Sequence, residues 1–312
     1  MTVAVAPLTM KPPHLDGLSQ RLLESHYENN YGGAVRRLNA IDTRLQDLDW
    51  SSASVFEING LKREQLVAAG SVILHEVYFD SLGGSGGDPA SAALASAIER
   101  DFGSLERWRA EFVAMGKAQG GGSGWVLLTW SDRLGRLTNQ WAADHAHGLA
   151  FGQPILALDM YEHAYHIDFG SDASAYVDTF MRNIEWDHVA MRFGRAINAE
   201  TTSPVSAVHA VTTTELRDAL QDEANAPIVL DVRLSQDRDR DSLPGTPWYD
   251  LERVDEWCET LPRDRKVVVY CMYGFWVSQD TAETLRERGF DADILQGGIS
   301  AWRAMGLPTE PL

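Results

Sequence analysis

The run Asp159-Met-Tyr-Glu-His163-Ala-Tyr165 sets a carboxylate and an imidazole four positions apart, where both can reach one ion. Far upstream, His26 and His75 fall in two separate helical stretches, which side by side could each present an imidazole to the same ion. Three imidazoles and one carboxylate hold a redox metal while leaving a coordination position open for water or a small anion. Taken singly, each histidine fits a surface or hydrogen-bonded core position as well, because His is intermediate in burial. A second reactive candidate is Cys271. The segment Val267-Val-Val-Tyr-Cys271 ends a strand and Ser278-Gln-Asp-Thr-Ala begins a helix, with Met272-Tyr-Gly-Phe-Trp-Val277 between. Backbone N–H groups converging at such a turn, beside a helix N-terminus, lower a thiol's pKa and cradle an anionic adduct. A buried structural cysteine at a strand end fits the same loop.

The elements that must position these residues change character near residue 200. Gly17 to Ala40 carries Leu18, Leu22, Leu23, Tyr27, Ala34 and Leu38 at mostly helical spacing, and Arg63 to Phe79 reads as another helix. Ala90 to Gln119 reads as two more, joined around Gly103-Ser104. Gly120 to Gly124 then stops helical structure, and Trp125-Val-Leu-Leu-Thr-Trp130 enters a hairpin turn at Asp132-Arg-Leu-Gly135. Pro154-Ile-Leu-Ala-Leu158 is a strand whose end sets Asp159 beside His163. Helices followed by a small sheet mean an α+β domain over 1–196. Asn198 to Ser206 is polar, β-branched and broken by Pro204, so 197–206 reads as an exposed linker. From 207 to 312 short apolar strands alternate with helices: Thr213 to Leu220, Pro227 to Asp231, Lys266 to Cys271, Ser278 to Arg288 and Asp293-Ile-Leu. That alternation predicts an α/β domain with a parallel sheet.

Composition narrows the partners. A chain of 312 residues exceeds what one core usually organises. With 27 basic against 45 acidic side chains, the net charge of -18 repels nucleic acid and anionic membrane surfaces. No apolar run approaches the roughly 20 residues that cross a bilayer, and Met1 to Pro13 lacks the features of a secretory signal. The two cysteines, Cys258 and Cys271, suit a reducing compartment, and the cytoplasm is expected. Cys258 falls on the helix before the Cys271 strand, where packing is its expected role.

Residues 14 to 195 resemble the iron/manganese superoxide dismutase family through Ser25-His26-Tyr27, Gly122-Gly-Ser-Gly-Trp125, Asp159-Met-Tyr-Glu-His163-Ala-Tyr165 and Asn183-Ile-Glu-Trp186. The resemblance implies His26, His75, Asp159 and His163 as ligands, one Fe or Mn ion per domain, and superoxide as substrate. It also implies a homodimer or homotetramer formed through this domain, with Glu162 at the interface. His145 and Tyr165 are catalytic candidates on the same ground, His145 resembling a histidine that contacts the bound solvent in some members. Outer-shell hydrogen bonds would tune that solvent and the redox potential. Three features depart from the family pattern. Asn30 and Ala34 stand where the family usually has a histidine and a gate tyrosine, Phe79 and Tyr161 stand where it has Trp, and Ser71 stands where the iron type often has Gln. A missing gate phenol widens the entrance. Tyr31 lies close in sequence and is a candidate to compensate in part, against which successive helical positions point about 100° apart.

Residues 207 to 312 resemble a single rhodanese domain through Ile228-Val-Leu-Asp231-Val-Arg233, Leu243-Pro244-Gly245, the Cys271 loop with Gly274, and Gly297-Gly298-Ile-Ser-Ala-Trp302. The resemblance implies that Cys271 accepts sulfane sulfur from a donor and passes it to a thiol acceptor. Many active members carry an Arg in this loop, whereas here the residues are Phe275-Trp276-Val277, so thiosulfate is expected to bind poorly. Superoxide dismutation with sulfur transfer at Cys271 is the leading expectation. A redox- or sulfur-responsive binding protein, or a metal enzyme acting on a sulfur species delivered by Cys271, are the alternatives.

Overall fold

The computed structural model describes residues 2–197, 209–222, 225–238 and 240–312. The chain forms two compact units, Thr9–Ser203 and a second made of Met1–Leu8 with Pro204–Leu312. The grouping of the first eight residues with the second unit is not legible in so short a segment, where no periodicity can develop. Most of the sequence-predicted linker lies outside the described residues. Among those described, no helix is long and apolar enough to cross a membrane.

In the first unit, a 3-10 turn at Pro12–His14 precedes the first α-helix, α1 (Gln20–Ser25), where the Ser19 hydroxyl accepts from the Leu22 amide and so satisfies one of the orphan donors of the first turn. It passes through a π-helical turn, His26–Tyr31, into α2 (Gly32–Gln46). Apolar spacing alone predicts an uninterrupted helix here. The π turn is the first departure, and such turns concentrate at functional sites. Leu22, Leu23 and Val35 are fully buried, each contributing roughly 1.5–3 kcal/mol of transfer free energy. α3 (Val55–Asp80) returns antiparallel to α2. It starts eight residues before the predicted Arg63, because its first two turns are held by the Ser54 cap rather than by a buried face. α4 (Ala92–Phe102) and α5 (Leu105–Ala118) break at Gly103, whose φ of +89° favours glycine, and at the capping Ser104, as predicted.

β1 (Trp125–Ser131), β2 (Arg136–Ala142) and β3 (Gly152–Asp159) form an antiparallel sheet in the order β2-β1-β3. The register sets Trp125 directly opposite Asp159, so two residues of the sequence reading meet at one end of the sheet. α6 (His166–Phe169), α7 (Ala173–Arg182) and α8 (Trp186–Ile197) complete the unit. Arg192 of α8 donates to the Ile155 carbonyl of β3 (2.8 Å) and pairs with Asp80 at the end of α3, tying helix and sheet together.

The second unit contains β4 (Ala210–Val211), α9 (Thr213–Ala219), β5 (Ile228–Asp231), β6 (Asp241–Ser242) and α10 (Val254–Trp257). β7 (Val267–Tyr270), α11 (Trp276–Glu287), β8 (Ala292–Leu295), α12 (Gly298–Ala304) and β9 (Glu310–Pro311) follow. Its main sheet, β4-β8-β7-β5, is parallel throughout. All four residues of β7 and of β8 are buried, which accounts for the unbroken apolar run of β7, while the one charged residue of β8, Asp293, pairs with Lys266.

Candidate metal centre

His26, His75, Asp159 and His163 converge, each offering one ligand atom, and all four atoms lie within 4.8 Å of one another. Asp159 Oδ2 is 3.2 Å from His26 Nε2, 3.6 Å from His75 Nε2 and 3.2 Å from His163 Nε2. Three elements meet to achieve this: the π turn supplies His26, α3 supplies His75, and the end of β3 with the 3-10 turn Glu162–Ala164 supplies the remaining pair. His75 Nδ1 donates to the Ser71 carbonyl (2.7 Å), which fixes the tautomer and leaves the Nε2 lone pair facing the other donors. The Nε2 atoms of His26 and His75 are buried without hydrogen-bond partners among the described residues. Buried, partnerless imidazole nitrogens around an anionic carboxylate are what a metal ion satisfies.

Electrostatics keep the set in its ligating form. Burial drives His26 below its ordinary value and His75 down to about 3, so both imidazoles are neutral. Burial pushes the Asp159 carboxyl up, but His163 and His26 beside it more than reverse this, and it is held well below the carboxylate range. Asp159 Oδ1 accepts from the Tyr161 amide (2.8 Å), which orients the carboxylate.

The surrounding shell is aromatic. Trp125 Nε1 donates to His145 Nδ1 (3.0 Å), so the remaining proton of the neutral ring sits on Nε2. Burial lowers the His145 pKa and favours that neutral form. His145 stacks on Tyr161 at 4.7 Å between ring centroids, and Tyr161 stacks on His163 at 5.4 Å.

A model of the C-terminal domain of iron/manganese superoxide dismutases matches residues 90–192. An iron superoxide dismutase of Cupriavidus metallidurans is 64% identical over 197 residues, covering 63% of this chain and 99% of that protein. The chain belongs to the iron/manganese superoxide dismutase family. The iron superoxide dismutase of Aquifex aeolicus is 35% identical across 61% of this chain and 91% of its own length. Superoxide dismutase [Mn] 1 of Halobacterium salinarum is 35% identical across 59% and 89%. A rhodanese-like domain model matches residues 212–305. The chain is therefore a superoxide dismutase carrying a rhodanese-like domain.

Within the dismutase unit, Tyr31 is buried and its hydroxyl donates to Glu76 (2.9 Å). A cleft of about 260 Å³ is lined by Asn30, Ala34, Arg37, Ser71 and His145 among others. Tyr165 is buried and stacks on Tyr176 (5.3 Å), and burial, then the charges of Glu162 and Asp159, push its phenol up. The single chain thus gathers the four donors and His145, with Tyr165 stacked on Tyr176 behind them.

One residue, Gly70, gave no functional signal in the sequence, and the role of another, Ser71, was not visible there. Gly70 faces the loop that carries His145, and a Cβ there would stand 2.0 Å from the His145 carbonyl oxygen. A glycine inside a long helix costs about 1 kcal/mol against alanine, and that cost was the available signal of a close backbone approach. Ser71, noted only for not being Gln, acts through its carbonyl, which every residue type possesses.

In the rhodanese-like domain, Cys271 is buried and free at the end of β7, with Sγ 3.3 Å from Ser278 Oγ. Ile299 and Ser300 amides donate to the Cys271 and Met272 carbonyls (both 3.0 Å), pinning the loop to α12. Gly298 allows this approach, since a Cβ there would meet the Cys271 carbonyl oxygen at 2.4 Å. Trp276 at the start of α11 is 45% exposed, so an indole borders the cysteine loop. Cys258 is also free, and packs in the core with Leu261 and Val267.

Proposed function

We propose that His26, His75, Asp159 and His163 hold one iron or manganese ion and that this centre converts two superoxide anions and two protons to oxygen and hydrogen peroxide. The convergence of four donor atoms within 4.8 Å carries this reading. An iron or manganese ion held by these four residues would supply a one-electron redox couple for the reaction. The chain supplies the rest. Asp159 provides charge, Ser71 fixes the His75 tautomer, and His145 holds a transferable proton at Nε2 because Trp125 occupies Nδ1. Glu162, exposed beside His163, acts at the interface of a homodimer or homotetramer, with Tyr165 in the same run. The domains are joined by the 197–206 linker, and two free thiols suit the cytoplasm.

The test measures Fe and Mn by elemental analysis together with superoxide disproportionation, for wild type and His163→Ala. Metal near one ion per chain with fast turnover is expected for wild type, and a drop of at least tenfold in metal affinity for the variant. A metal-replete wild type without activity would refute the reading.

Cys271 carries sulfane sulfur in this proposal. Its thiolate attacks the outer sulfur of a donor, forming an S–S bond as the donor's own bond to that sulfur breaks, and a thiol acceptor later removes it. The absence of a loop cation and the exposed Trp276 favour an apolar donor, or a sensing role, over thiosulfate. Persulfide formation that is abolished by alkylation or by Cys271→Ser supports transfer. An inert thiol supports sensing.

A further inference from the structure

Ser278 stands at the third position of α11, fully buried, with Oγ 3.3 Å from Cys271 Sγ and 3.1 Å from the Phe275 carbonyl oxygen. The helix itself does not call for a serine there. Alanine forms helix more readily and avoids the cost of burying a hydroxyl. The hydroxyl bonds also divide unevenly. The Phe275 carbonyl accepts from three donors: the amides of Ser278 and Gln279, both at 3.1 Å, and the Ser278 hydroxyl. A carbonyl oxygen has two lone pairs, so the two amides satisfy it and the hydroxyl proton is surplus.

While Cys271 is a thiol, its S–H has Ser278 Oγ within reach at 3.3 Å, the Phe275 carbonyl lying farther off at 4.0 Å. Once Sγ loses that proton it only accepts, and the Ser278 hydroxyl can turn about its C–O bond to donate to sulfur while the carbonyl keeps its two amides. The segment between the two residues, Met272-Tyr-Gly-Phe-Trp-Val277, contains no Lys, Arg or His. We propose that Ser278 is the hydrogen-bond donor that holds Cys271 in its nucleophilic thiolate form, a neutral group serving in a loop without a cation of its own. The inference rests on the proposed sulfur transfer at Cys271. As Sγ bonds to the outer sulfur of the donor, the donor's bond to that sulfur breaks and its electron pair leaves with the rest of the donor. The charge departs from Sγ, and the hydroxyl returns to the Phe275 carbonyl. The bond therefore favours the thiolate over both the thiol and the persulfide.

The probe is iodoacetamide at pH 7 on the full chain and on its Ser278→Ala and Ser278→Thr variants, with mass spectrometry of the Cys271 peptide separating it from Cys258. Loss of the donor leaves about tenfold less thiolate, offset about threefold by the greater nucleophilicity of the more basic sulfur. Alkylation is therefore expected to slow about threefold in Ser278→Ala and to return to the wild-type rate in Ser278→Thr, which keeps a hydroxyl. A purely structural serine predicts the opposite sign, because a loosened loop exposes the thiol and speeds its alkylation. A Ser278→Ala rate equal to or above wild type overturns the proposal, as does a folded Ser278→Thr variant no faster than Ser278→Ala. If the Thr variant does not fold, the Ala rate decides. Persulfide formation from a sulfane-sulfur donor is measured on the same preparations. Slowed alkylation in Ser278→Ala without any persulfide on the wild type leaves the Ser278 bond standing and removes the transfer reading.

Discussion

At the scale of single residues, the metal centre is a cluster of groups that lose by burial unless something positive sits among them. An ionised carboxylate and three buried imidazole nitrogens without hydrogen-bond partners, Nδ1 and Nε2 of His26 and Nε2 of His75, are costly in a low-dielectric interior. The metal-free protein carries that cost, with a sign that can be worked out. Burial holds His75 at about 3 against an ordinary 6.5, so between these values the unfolded chain binds a proton that the folded chain refuses. Asp159, held below its ordinary range, acts in the same direction. This contribution to stability is fully present above about pH 6.5 and is lost as pH falls toward 3. Denaturant unfolding of the metal-free protein at pH 7, 6 and 5 should show a decline on the order of 1 kcal/mol per pH unit for one such histidine. A flat profile would mean that the imidazoles are more solvated than their burial indicates.

At the scale of elements, α3 does more than present His75. Its Gly70 lets the loop that follows β2 lie against the helix, so that Trp125, at the start of β1, can reach His145. Gly70→Ala therefore sets two effects against each other. Alanine favours the helix by about 1 kcal/mol, while overpacking against a backbone carbonyl costs typically 1–3 kcal/mol. The 2.0 Å approach is to backbone rather than to a flexible side chain, so the clash should win, with a net loss of about 1 kcal/mol and a fall in turnover of about tenfold at unchanged metal content. Paired melting and superoxide assays check this, and full activity would show that His145 is not held by this contact. Much of the element plan was readable. The break at Gly103-Ser104, the hairpin, and the strand leading to Asp159 were visible because capping, turn chemistry and apolar runs are local. The π turn was not, because its one extra residue per turn leaves the apolar pattern almost unchanged while bringing Tyr31 inward to Glu76.

At the scale of the whole molecule, two units with separate cores accompany two chemistries. Aromatic and aliphatic side chains around β1 and β3 close one core, and Leu230, Val269, Leu285 and Ile294 belong to the other. Calorimetry of the full chain should resolve two unfolding transitions. Loading with iron or manganese should raise only one, since a ligand stabilises the unit that binds it. A single transition that shifts as a whole would show the units to be thermodynamically coupled.

The sequence by itself determined the family resemblance, the two-domain order and the pairing of Asp159 with His163, with His26 and His75 implied by the resemblance. Residue types and motif spacing suffice for these. Only the tertiary structure decided which backbone atoms orient the donors, how close Gly70 lies to His145, where Tyr165 turns, and what space Ala34 leaves open. The physical reason is that such properties belong to pairs of residues far apart in the chain. His75 is 84 positions from Asp159, and Gly70 is 75 from His145, so packing, and not local pattern, sets their distances.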